Sequence, residues 1–69
     1  MKRAEAVALL KELGSGQLIQ PSLVLIEQKC PDSYQLRIKG DYNLPEIGIF
    51  LKNRFLIEEN NNYLVISSL

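Results

Sequence analysis

The chain has 69 residues, 46% of them hydrophobic and 23% charged, and its eight Lys and Arg balance eight Asp and Glu to a formal net charge of zero. That length holds one small domain, residues 1–69, and the composition excludes both a disordered polar tail and a membrane span, which needs a run of about 18 or more apolar residues. Neutrality removes any long-range field toward nucleic acid or anionic lipid, and the absence of histidine removes the commonest general acid–base group and metal ligand.

Residues 3–13 predict a helix, because Ala, Leu, Glu and Lys dominate and Ala6, Leu9, Leu10 and Leu13 recur at the spacing of one buried stripe. Gly14 follows directly and reads as its left-handed stop. Glu5, Lys11 and Glu12 interrupt the apolar stretch that a secretory signal requires, and the single Cys30 has no internal partner, so a cytoplasmic location is expected.

After Pro21 the period changes. Leu23, Val24, Leu25 and Ile26 are apolar on both faces, which predicts a strand over residues 22–28 running through the middle of a sheet. The turn composition of residues 29–33 leads to residues 34–39. There Tyr34, Leu36 and Ile38 alternate with Gln35, Arg37 and Lys39, the pattern of a half-buried strand antiparallel to the first.

Gly40-Asp41-Tyr42-Asn43 breaks that alternation and ends in a helix-capping residue type, so residues 44–53 predict a second helix with Leu44, Ile47, Phe50 and Leu51 as its stripe. Gly48 within it suggests a close approach to another backbone. Residues 55–58 and 63–67 then flank Glu59-Asn60-Asn61-Asn62 as a second hairpin. The elements run α-β-β-α-β-β. The simplest arrangement is an α+β two-layer domain, a four-stranded antiparallel sheet with both helices on one face.

Chemistry is sparse. Glu58 and Glu59 are neighbours on a strand and point to opposite faces, so they do not flank one substrate bond. Cys30 has only Lys29 nearby in sequence to activate it, Gly14-Ser15-Gly16 closes a helix rather than opening one, and Asp41 repels an anion approaching the second helix start. The expectation is a noncatalytic chain with no cofactor and no metal.

One helical layer hides one sheet face, and strand one keeps aliphatic side chains on both. A small chain with no disulfide gains stability by burying such surface against a second copy. The sequence therefore predicts a protein-interaction domain that forms a homodimer through its sheet, with Val24, Ile26, Leu64 and Ile66 as the interface on one choice of strand parity. The alternative is a small nucleic-acid-binding module, with Arg37 and Lys39 on the exposed sheet face joined by Lys29, Lys52 and Arg54.

Overall fold

The computed structural model describes residues 1–40 and 42–69. The order is α1 (Arg3–Ser15), a 3-10 turn (Pro21–Leu23), β1 (Val24–Cys30), β2 (Ser33–Lys39), α2 (Leu44–Leu51), β3 (Phe55–Glu59) and β4 (Tyr63–Ser68). The strands form one antiparallel sheet in the order β1-β2-β4-β3. This is the expected α+β domain.

The apolar stripes meet on one side of that sheet. Ala6, Leu9 and Leu13 of α1 and Ile47 and Leu51 of α2 pack with Leu36 and Ile38 of β2 and Leu64 and Ile66 of β4 in a single buried cluster. The buried strand residues pair across the sheet, Leu36 with Ile66 and Ile38 with Leu64, so both central strands present the same parity to the helices. Met1 also enters the core, where its carbonyl accepts from the Tyr34 backbone N–H at 2.7 Å and its amino group donates to the Tyr34 carbonyl at 3.3 Å.

Helix α1 runs past Gly14, two residues beyond the expected end, and closes in a Schellman arrangement. Leu18 N–H donates to Leu13 O at 3.1 Å and Gln17 N–H to Gly14 O at 3.0 Å. The left-handed residue is Gln17, at φ 58°. Gly14 has a different reason to be small: a Cβ there would lie 3.0 Å from Pro21 Cγ, where the helix end meets the 3-10 turn. At the other terminus the Lys2 N–H donates to Glu5 Oε1 at 3.2 Å.

Two further expectations are corrected. Residues 21–23 coil into the 3-10 turn, with Leu23 N–H donating to Gln20 O at 2.9 Å, so β1 begins two residues later than residues 22–28 implied and extends to Cys30. More consequentially, β1 lies at an edge of the sheet and not at its centre. Its two-sided apolarity does not reflect cover on both faces, since Leu25 is 51% exposed. The inner position belongs to β4, whose Tyr63-Leu64-Val65-Ile66 run lies between β2 and β3.

Helix α2 starts as expected, with Asn43 Oδ1 accepting from the Glu46 N–H at 3.1 Å and Pro45 in the first turn. It ends at Leu51, two residues before residue 53, because Lys52 and Asn53 both turn left-handed at φ 51° and 62°. Gly48 makes no close approach: a Cβ there would meet nothing within 4 Å. Its cost as a helix interior glycine is therefore uncompensated. Gly48→Ala is expected to stabilise the domain by about 0.5–1 kcal/mol in urea unfolding; destabilisation would show that the open space is needed.

Candidate interaction surface

The sheet face turned away from the helices is built by the other strand parity. Across it run Leu25, Arg37, Val65 and Glu58, one from each strand in register. Glu27 opposes Gln35, Lys39 opposes Tyr63, and Leu56 opposes Ser67 on the same side. The most open aliphatic groups stand at the margins, Leu25 on β1 and Leu56 on β3 at 42% exposure, while Tyr63, Val65 and Arg37 between them are half-buried by their neighbours.

Arg37 organises the middle. Its guanidinium carbon lies 4.5 Å from the centroid of the Tyr63 ring, a cation–π distance. Its Nε sits 3.1 Å from Glu27 Oε1, and Gln35 Nε2 donates to the same oxygen at 3.1 Å. Nε is sealed from water, and its approach to Glu27 lacks hydrogen-bond alignment, so the contact is chiefly coulombic. With both side chains about one-third exposed, such a pair contributes about 1 kcal/mol or less. Its effect is to hold the guanidinium over the Tyr63 ring.

Of the residues expected at an interface, Leu64 and Ile66 are 0% exposed and belong to the core. Val24 and Ile26 are on the same helix side, half-buried at the β1 margin. The outward set is thus the opposite parity. The aliphatic runs of β1 and β4 carry no preference between the two, so pattern alone leaves Tyr63 and Val65 or Leu64 and Ile66 as equal choices for the outer face, and it does not single out Leu25 or Leu56.

The cations do not gather. Arg37 and Lys39 share the outer face, but Lys29 lies at the far end of the β1–β2 hairpin. Arg54 donates from Nε to the last-turn carbonyl of Leu51 at 3.0 Å and lies 5.6 Å from the Phe55 ring centroid. Glu58 and Glu59 diverge as their adjacency requires. Glu58 is on the outer face, whereas Glu59 Oε2 accepts from the Tyr42 hydroxyl at 2.9 Å. Cys30 is exposed at the end of β1, and Asp41 lies outside the described residues. Among the described residues no His, Cys, Asp or Glu cluster of metal-binding size occurs, and no helix is long and apolar enough to cross a membrane.

Comparison with protein-family models, with curated proteins and with solved structures finds no match to this chain.

The Tyr42–Glu59 bond ties the segment before α2 to the end of β3. Partial burial, the hydrogen bond to Glu59 and the charge of Glu59 all raise the Tyr42 phenol above its ordinary value. A raised folded value means stabilisation that is present below the unfolded value of about 10 and lost as pH climbs through the folded one. In denaturant titrations, the stability gap between the wild type and Tyr42→Phe should be constant up to about pH 9 and shrink above about pH 10. A gap that stays constant into that alkaline range would show that the bond does not contribute.

Proposed function

We propose that this chain is a small noncatalytic protein-interaction domain that self-associates through its sheet, by the uncovered face or an edge strand. The observation that carries the reading is the outer face itself. It combines exposed aliphatic margins at Leu25 and Leu56 with an aromatic and an arginine at its centre, the residue types that enrich protein contact surfaces. The face also carries both signs, Arg37 and Lys39 against Glu27 and Glu58. A second copy of the same neutral chain is thus an electrostatically acceptable partner, and two-fold pairing is the commonest way to use one. A cytoplasmic location fits the unpaired, exposed Cys30.

Sedimentation or light scattering at about 10 μM, a concentration that populates an interface of micromolar or tighter affinity, is expected to give twice the 7.8 kDa chain mass. Leu25→Lys and Leu56→Lys together should return the protein to the monomer mass with its circular dichroism unchanged. A folded wild type that sediments as a monomer at that concentration overturns the reading.

A second reading has one observation in its favour. Tyr63 reaches the outer face, with Arg37 over its ring and Lys39 beside it, and base-stacking sheets combine these residue types. Against it, the Tyr63 ring is already covered, Arg37 is paired with Glu27, and Glu58 shares the surface. Nucleic-acid binding through Arg37 and Lys39 would show as amide shifts with a mixed oligonucleotide at about 50 mM salt, weakened by Arg37→Ala and steeply by added salt. Unshifted spectra discard it.

A further inference from the structure

The margins of the sheet differ in how their charge is laid out along the chain. Both β1 and β3 have a strand neighbour on one side only, and both carry three apolar residues in succession, Val24-Leu25-Ile26 and Phe55-Leu56-Ile57. Among the described residues no backbone hydrogen bond from outside the hairpins reaches either strand. An unpaired edge of this kind is a template for another strand.

In β1 the charges Glu27 and Lys29 both follow the apolar triplet. Glu27 is committed to Arg37, and the strand bulges between Gln28 and Cys30, features that blunt an edge. β3 is regular and polarised: Lys52 and Arg54 precede the triplet, and Glu58 and Glu59 follow it. Among the described residues Arg37–Glu27 is the ion pair within the chain. Among the described residues Lys52, Arg54 and Glu58 form no ion pair, and the guanidinium of Arg54 is engaged through Nε, by the Leu51 carbonyl.

We infer that two copies of this chain join antiparallel along β3, about a two-fold axis at Leu56, so that their sheets run on as one. The inference rests on the self-association proposed above and specifies its geometry. Residues opposite each other in a sheet share a face, so a two-fold axis normal to the sheet sets one residue against its own copy. Centred on Glu58, the pairing would set like charges together. Centred on Ile57, it would oppose Leu56 and Phe55 to Glu58 and Glu59. Centred on Leu56, it sets Leu56 against Leu56, Phe55 against Ile57, and Arg54 against Glu58 at both ends. That register satisfies the apolar and the charged residues together. Joining β3 to β1 of a neighbour would leave both remaining edges free and grow without closing.

Charge exchange tests this directly. Arg54→Glu and Glu58→Arg should each lower the association constant at least about tenfold, and the double exchange should restore it, because each end of the strand again meets its opposite. In a Cys30→Ser background, Leu56→Cys should form an intermolecular disulfide under mild oxidation and Leu25→Cys should not, since opposed residues of antiparallel strands lie within disulfide reach. A monomeric wild type overturns both the self-association and its geometry. A dimer that ignores the charge exchange, or that cross-links through Leu25→Cys instead, retains self-association and overturns the β3 pairing.

Discussion

The fold depends on the packing of Leu36, Ile38, Leu64 and Ile66 against the two helices. These four aliphatic residues sit in register on adjacent central strands and are 0% exposed. A helical layer requires a continuous apolar surface beneath it, and alternation along β2 and β4 supplies that surface on one side. The same alternation sends Arg37, Val65 and Tyr63 to the other. Among the described residues there are two α-helices, both spent on the first face, and the second face follows as a by-product of burying the first.

A face without cover must be chemically tolerable in water, and this one achieves that by mixing. Arg37 spreads over Tyr63 and is neutralised by Glu27, which Gln35 also holds. Its guanidinium thereby screens one side of an aromatic ring on the uncovered face. The aliphatic groups left exposed are displaced to the margins, at Leu25 and Leu56. The same mixture suits a surface that is solvated in one state and paired in another.

Much of this was legible in the residues. The stripe Ala6, Leu9 and Leu13 and the alternation of residues 34–39 identify their elements because each carries a full period against an evident polar side. The Asn43 cap was legible because its side-chain chemistry is local. The position of β1 was not. Four aliphatic residues in succession are compatible with burial on both faces or with an edge whose outer side stays partly wet, and only the pairing of β4 with β2 decides between them. The parity of Tyr63 depends on the same long-range pairing, so the stacking of Arg37 was out of reach of local pattern. The end of α1 was misplaced for a different reason, since Gln17, a residue with no special tolerance for positive φ, closes the helix in place of the glycine that composition favours.

The neutral net charge acquires a different meaning once its distribution is known. In sequence it excludes a general polyanion binder; in space its positive and negative groups are segregated along β3, with Lys52 and Arg54 before the strand and Glu58 and Glu59 after it. Separated charges on one short strand make an edge with a direction. Such an edge opposes a parallel neighbour, which would set like against like, and accepts an antiparallel one. A chain with no net charge pays no overall repulsion for bringing a copy of itself close, so local polarity alone governs orientation. In the proposed dimer, charge would therefore select how the strands meet, while Leu56 and its neighbours would supply the apolar surface that makes meeting favourable.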